Sequence, residues 1–150
     1  MPYQIKAAGG VVIKGKRILF IKKNGRWEFP KGRLKKGAKR KNTAIREICE
    51  ETGIKKEYLK VVKPLIPTHN NIKFNGETGV KETFWFLVKF SGDVKMKLYP
   101  EKKEGITKCK WLRLSEVPSK IKDSRSLVHY LWKYVLNDPD FRKYLKSTKK

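Results

Sequence analysis

Hydrophobic residues recur along the chain with two periods. Residues 3 to 13, YQIKAAGGVVI, read as a strand, with Ala7 to Gly10 suited to close backbone approach. Gly15 marks a turn, and Arg17 to Lys22, RILFIK, reads as a second strand, so the pair predicts a hairpin. Asn24-Gly25 is a turn signal, and Trp27-Glu28-Phe29 is a short extended piece ending at Pro30. Tyr58 to Ile66, Glu82 to Phe90 and Thr107 to Leu112 have strand composition. Between the first two lies a polar, glycine-containing stretch, Thr68 to Lys81, expected as a hairpin tip or a substrate loop. Helical spacing places Ala44, Ile45, Ile48 and Cys49 on one stripe, with Asn42 or Thr43 as cap and Gly53 as stop. A second helix is expected from a cap at Asp123 or Ser124 to about Leu136, with Leu127, Val128, Leu131, Tyr134 and Val135 on its apolar face. Asp138-Pro139 opens a short last helix with Phe141, Tyr144 and Leu145 facing inwards, and the lysine-rich end, Lys146 to Lys150, is expected to fray. The order strands, helix, strands, helix predicts an α+β fold with a mixed sheet between helices, as one domain over residues 1–150.

Charge changes this picture more than composition does. Lys and Arg total 38 against 14 acids, a formal net charge of +24. Such a field attracts phosphate-rich ligands, and nucleic acid non-specifically, although lysines spread along the whole chain also fit a solvated surface without a partner. No apolar run is long enough to span a membrane and no secretory leader is visible, so a cytoplasmic enzyme or binding protein is expected. Cys49 and Cys109 lack metal-ligand spacing, and a buried free thiol is the simpler reading for Cys49.

Against this basic background, Glu47, Glu50 and Glu51 crowd three carboxylates into five residues. On a helix they stand at i, i+3 and i+4 and share a face, where like charges cost about a few tenths of a kcal/mol per pair. A hard divalent cation would turn that repulsion into ligation. A solvated acidic face is the plainer alternative. Upstream, Lys31 to Lys41 is a basic loop in which Gly32 and Gly37 allow close backbone approach and Lys31, Lys35 and Lys36 could meet phosphates.

The flanks favour ligation. Gly32, Arg46, Glu47, Ile48, Glu50, Glu51, Gly53 and Ile54 fall in register with the Nudix signature: Gly, five residues, Glu, seven residues, Arg-Glu, an aliphatic residue, any residue, Glu-Glu, any residue, Gly, an aliphatic residue. Eight of nine specified positions match over 23 residues, and Trp27-Glu28-Phe29-Pro30-Lys31 resembles the usual lead-in. The departure is Ala38, where the pattern has its first Glu.

The resemblance to Nudix hydrolases implies an α/β/α sandwich and metal-dependent hydrolysis of a pyrophosphate bond in a nucleoside diphosphate-linked substrate. It implies magnesium or manganese (Mg²⁺ or Mn²⁺) held by Glu47, Glu50 and Glu51, with a backbone carbonyl near Lys31 as a further ligand. Arg46 would orient a box glutamate, and the general base would be a box glutamate or an acid outside it, Glu104 or Glu101. His69 is a weak candidate for substrate contact, and a surface histidine is the simpler reading. Trp27, Phe74, Phe84 and Trp85 could stack on a base, though strand aromatics usually belong to a core. Loss of the carboxylate at position 38 is expected to slow the enzyme rather than abolish activity. Pro30-Lys31-Gly32 resembles the lead-in of members acting on dinucleoside polyphosphates and diphosphoinositol polyphosphates. Dinucleoside polyphosphates or nucleoside triphosphates therefore rank first as substrates, with RNA 5′ ends and diphosphoinositol polyphosphates as alternatives. A nucleotide- or nucleic-acid-binding module with decayed catalysis is the reading from another class, which pyrophosphate-bond hydrolysis would exclude.

Overall fold

The computed structural model describes the chain from Tyr3 to Ser147, leaving aside the side chains of Tyr3, Phe74 and Ser147. The end of the lysine-rich tail and the stacking candidate Phe74 therefore lie outside what is described. Strands β1 (Tyr3–Lys14), β2 (Arg17–Lys23), β3 (Arg26–Glu28) and β4 (Lys31–Arg33) precede helix α1 (Arg40–Thr52). Strands β5 (Leu59–Pro64), β6 (Thr68–Phe74), β7 (Glu77–Phe90) and β8 (Ile106–Arg113) follow, then helices α2 (Val117–Lys120), α3 (Ser126–Leu136) and α4 (Pro139–Ser147).

All eight strands form one mixed sheet with a spine ordered β3-β2-β1-β7-β5. The predicted hairpin is present, with Ile13 opposite Ile18 and Lys14 opposite Arg17. β1 also runs parallel to β7 from Tyr3 opposite Gly79 to Ile13 opposite Lys89. Such a pairing joins residues 76 positions apart, from 3 with 79 to 13 with 89, which no local pattern announces. The polar stretch 68–81 is a hairpin turning at Asn75 and Gly76, so β7 is longer than its apolar core suggests.

The two faces of the sheet carry separate cores. Ala8, Val12, Leu19, Phe86, Val88 and Trp111 pack with Ala44 and Ile48 of α1. On the other face Val11, Ile18, Phe20, Phe29, Trp85 and Leu87 pack with α3 and with Phe141 of α4. This is an α/β/α sandwich. The strict alternation of a strand, odd positions to one face and even to the other, divides β1 between the two cores.

Both expected helix caps are corrected. α1 begins at Arg40 behind Lys39, which makes no side-chain cap bond, and Thr43 is buried within the first turn. α3 starts behind Arg125, because Ser124 spends its hydroxyl on the Trp27 carbonyl at 2.6 Å. The Asp138 cap of α4 is present: its Oδ2 accepts from the amides of Asp140 (3.2 Å) and Phe141 (3.3 Å). Lys63 on β5 reaches the same side chain at 2.8 Å, tying α4 to the sheet.

Candidate catalytic centre

The centre is assembled where β4 meets α1. The start of the expected basic loop is a strand, since Lys31, Gly32 and Arg33 pair with Gly9, Ala8 and Ala7 of β1. That pairing carries the backbone of residues 31–33 past the inward side of α1. A Cβ on Gly32 would overlap the Glu47 carboxyl group, so only glycine lets this side chain lie against the strand. Beside it the Lys31 amide donates to Glu51 Oε1 at 3.1 Å. Near Lys31 the structure thus presents a backbone donor, while the Pro30 carbonyl accepts from the Gly10 amide at 3.1 Å.

The C-terminal end of α1 is fastened by polar contacts. Gly53, with φ of 77°, closes the helix through its amide to the Cys49 carbonyl. Thr52 Oγ1 donates to the Ile48 carbonyl at 2.6 Å, and the Tyr99 amide donates to the Thr52 carbonyl at 2.8 Å. The Glu51 carbonyl accepts from the Cys109 thiol at 3.3 Å and from the Glu101 amide at 3.4 Å. Burial pushes the Cys109 thiol up to about 12, so it serves as a donor rather than a nucleophile.

The three box glutamates occupy different environments. Glu51 is buried, and burial is the main reason its carboxyl pKa rises to about 8; Lys23 and Lys31 oppose the rise and Glu47 adds to it. Glu47 is also raised, first by burial and then by Glu50 and Glu101, against a hydrogen bond from Arg46. Glu50 is half exposed. Arg46 sits between the outer two, its Nη2 at 3.0 Å from Glu47 Oε2 and its Nε at 3.4 Å from Glu50 Oε2. A third bond from Nη2 to the Arg33 carbonyl, 3.4 Å, anchors the guanidinium to β4. The expected orienting role of Arg46 therefore has a geometric basis.

This donor set fits a hard divalent cation. The available atoms are carboxylate oxygens, and the mutual repulsion of Glu47, Glu50, Glu51 and Glu101 is what a cation would relieve. Among the described residues no three acidic, histidine or cysteine side chains already converge as a metal nest. Glu47 and Glu50 instead lean on Arg46.

Other expected site residues are more dispersed. Glu101 faces the centre, since its amide bonds Glu51 and its charge is felt by Glu47. Glu104 is exposed on the short helical turn 102–104, and its amide bonds back to the Glu101 carbonyl. Lys35 and Lys36 are exposed in the loop between β4 and α1, lining a cleft of about 410 Å³ with Gln4, Lys6 and Ala38. Lys31 is buried, its Nζ 3.5 Å from Glu28 Oε1. His69 pairs across the hairpin with Glu82 at 3.1 Å. Trp27 and Trp85 are core residues, the latter bonded to Thr68 Oγ1 at 2.9 Å. The half-buried Phe84 ring is covered by the Arg40 guanidinium at 3.6 Å.

Sequence reasoning named Lys31 but missed Glu28 and the other cations around it, Lys23, Lys81 and Arg125. Glu28 is buried, with Lys31 at 3.5 Å and Arg125 at 3.8 Å as ion-pair partners, while its Oε1 makes no hydrogen bond. Lys23 and Lys81 join the cluster: burial first, then Lys31, Lys23 and Arg125, lower the Lys81 pKa to about 8. A carboxylate between two large aromatics in a short strand is the signal that was available. Of its cation partners Lys31 and Lys23 are near in sequence, whereas Lys81 and Arg125 come from distant segments and carried no signal.

The NUDIX domain profile matches residues 4–131. The chain belongs to the NUDIX family. Its relatives include an RNA pyrophosphohydrolase of Erythrobacter litoralis (strain HTCC2594), 27% identical over 118 residues, or 73% of this chain and 71% of that one. An RNA pyrophosphohydrolase of Wolbachia sp. subsp. Brugia malayi (strain TRS) is 31% identical over 96 residues, 57% of this chain and 55% of the relative. Among solved structures, the C. elegans Ap4A hydrolase in a binary complex superposes with a TM-score of 0.64 at 24% identity, covering 88% of this chain and 96% of that one. At that identity the likeness speaks for the fold. Membership makes this NUDIX protein a hydrolase, in agreement with the reading of the box.

Proposed function

We propose that this NUDIX protein hydrolyses a pyrophosphate bond at a nucleoside 5′ end, with a divalent metal held by Glu47, Glu50 and Glu51. The observation that carries the reading is the placement of Glu51, a buried carboxyl group fixed by the Lys31 amide and facing Glu47. A bound Mg²⁺ or Mn²⁺ supplies charge neutralisation of the phosphates and a more acidic water. The chain supplies the rest. Arg46 holds Glu47 and Glu50 in place. Lys23, Lys31, Lys81 and Arg125 cluster around Glu28 and add positive charge beside the centre, of the sign a polyphosphate requires. Glu101, nearer than Glu104, is the outside candidate for orienting or deprotonating the attacking water.

The lead-in puts dinucleoside polyphosphates first, whereas the named relatives favour the 5′-triphosphate of RNA. The net charge of +24 agrees with a polyanionic substrate, and we rank RNA 5′ ends ahead of dinucleoside polyphosphates and nucleoside triphosphates. A metal-dependent screen over 5′-triphosphorylated RNA, dinucleoside polyphosphates, nucleoside triphosphates and diphosphoinositol polyphosphates tests this ranking. The highest kcat/KM is expected for RNA, with Glu50→Gln removing most turnover. Absence of hydrolysis with all four substrates would favour a binding module. Glu101→Gln is expected to lower kcat by about 100-fold or more, within the range of general-base contributions, and Glu104→Gln by less than about 2-fold.

A further inference from the structure

A cavity of about 1320 Å³ lies away from the catalytic centre. It lies at the far end of the sheet, where β1 turns into β2 and where β7 and β8 end. Lys14, Lys16, Arg17, Lys89 and Arg113 line it, with Asp93 as the one carboxylate among the lining residues. That is five cations to one acid, against 38 to 14 in the whole chain.

The sheet register makes this more than a share of a basic surface. Lys14 is paired with Arg17, and Arg17 with Arg113, so three cations stand directly opposite one another on three adjacent strands. Directly paired residues share a face, and like charges so placed destabilise a sheet. The face is that of α1, since Val12, Leu19 and Trp111, each two residues away along its strand, belong to the core under α1. Among the described residues none of the three cations forms an ion pair. Asp93 accepts from the Lys95 amide at 2.8 Å, and Glu116 accepts from the Arg113 amide at 2.8 Å, leaving both carboxylates engaged with backbone. On the trio's face the cavity adds half-buried Val94, and around the end of the sheet, on the α4 side, it reaches Leu114 and the Tyr144 ring with Lys89 over it at 4.8 Å. A row of cations, with an aromatic ring reached around the end of the sheet, supplies the elements of a single-strand nucleic-acid groove.

Distance relates this groove to the centre. Lys31, whose amide holds Glu51, pairs with Gly9. From Gly9 to Lys14 is five residues along β1, about 16 Å at the rise of a strand. At about 3.4 Å per stacked nucleotide this is roughly five nucleotides. We propose that the cavity bounded by Lys14, Arg17 and Arg113 is an RNA-body groove, binding the phosphodiester backbone of a single strand some five nucleotides downstream of a 5′ end held at the catalytic centre. The inference rests on the RNA reading of that centre for its direction, and its test is chosen to be separable from that reading.

The test is the binding of a 5′-hydroxyl single-stranded RNA of about 15 nucleotides, which offers no pyrophosphate bond, measured by fluorescence anisotropy over a salt series. The variant Lys14→Gln/Arg17→Gln/Arg113→Gln is expected to bind at least 10-fold more weakly at 0.1 M salt. Its plot of log affinity against log salt should be shallower by about 2, from three lost phosphate contacts at about 0.7 each. A control variant, Lys55→Gln/Lys56→Gln/Lys60→Gln, removes equal charge from exposed positions elsewhere and is expected to change binding less than about 3-fold. Hydrolysis of a dinucleoside polyphosphate should be unchanged in both variants, and the thermal midpoint of the groove variant should not fall, because it relieves repulsion in register. The single variant Arg113→Gln, at an exposed position, should lower the slope by about 0.7 on its own. Equal loss in the groove and control variants, or an unchanged slope in the groove variants, overturns the proposal. Failure to hydrolyse 5′-triphosphorylated RNA, with groove binding intact, counts against the catalytic reading alone.

Discussion

Helices α1 and α3 cover opposite faces of one sheet and are held there by different means. α3 buries Leu127, Val128, Leu131, Trp132 and Val135, an unbroken apolar stripe over 11 residues. α1 is longer, 13 residues, yet its buried positions are Thr43, Ala44, Ile48, Glu51 and Thr52, of which only two are apolar. What α1 lacks in apolar burial it recovers through hydrogen bonds from Lys31, Tyr99, Glu101 and Cys109 to its last turn. Apolar burial is tolerant of small displacements, whereas hydrogen bonds fix position and direction. The helix that must aim carboxylates is therefore positioned by polar contacts, and the helix that only covers the sheet is positioned by packing.

The largest effect that should separate them is on stability. Leu131 is fully buried in the α3 core. Leu131→Ala is expected to cost about 3–4 kcal/mol by denaturant titration, the transfer term plus the cavity left behind. Turnover per folded molecule should stay near wild type. A variant that folds normally but loses activity would mean that α3 also shapes the catalytic centre.

Glu51→Gln should show the reverse. Glutamine keeps an oxygen for the Lys31 amide and removes a carboxyl group whose ionisation is opposed by burial. Metal-dependent turnover is expected to fall at least about 100-fold, the upper end of what loss of a supporting group beyond the metal ligands costs. The thermal midpoint of the metal-free protein should hold or rise. If it falls by several degrees, Glu51 is a structural anchor and the two helices are held by less different means.

Gly32→Ala probes the same side of the contrast with a smaller change. Its methyl group would displace the Glu47 carboxyl group, and Arg46 would follow through its bond to Glu47. Turnover should drop about 10-fold, as for loss of an orienting contact, with under about 1 kcal/mol of stability. An unchanged rate would show that Glu47 does not need its place against β4.

These residues also mark how far the sequence could be read. Spacing alone put Glu47, Glu50 and Glu51 on one helical face, and alternation gave the β1–β2 hairpin, because both are set within a few residues. Lys31 looked like a loop cation because nothing local shows that β4 returns to β1. Asn42, Thr43 and Ser124 have the chemistry of helix caps, but α1 starts ahead of the first two and the Ser124 hydroxyl is drawn to Trp27. Glu28 is the sharpest case. A carboxylate in a short strand reads as solvent-facing until Lys31 and Arg125 are brought to it by the fold. Among the acids outside the box, Glu101 and Glu104 were indistinguishable by position, and the Glu101 amide bond to Glu51 separates them.

The smallest expected effect concerns Ala38, where the family pattern has a carboxylate. Ala38 is exposed, and its amide closes a turn onto the Lys35 carbonyl at 3.0 Å, so a longer side chain fits without rearrangement. Arg46 meanwhile has three acceptors, Glu47, Glu50 and the Arg33 carbonyl, and two of these are the groups a metal would need. A carboxylate at position 38 is expected to compete for the guanidinium and free those glutamates for the cation. Ala38→Glu is therefore expected to raise turnover a few-fold and to lower the metal concentration at half-maximal rate by up to about 10-fold, the lower end of such supporting effects. Measured at saturating metal as well as below it, the two parts separate. A gain only below saturation places the effect in metal binding. A gain at saturation as well places it in the alignment of Glu47 and Glu50. No gain at either would mean that Arg33 and Arg46 already provide what the missing glutamate supplies elsewhere in the family, and that α1 is aimed by the strand beside it rather than by the loop before it.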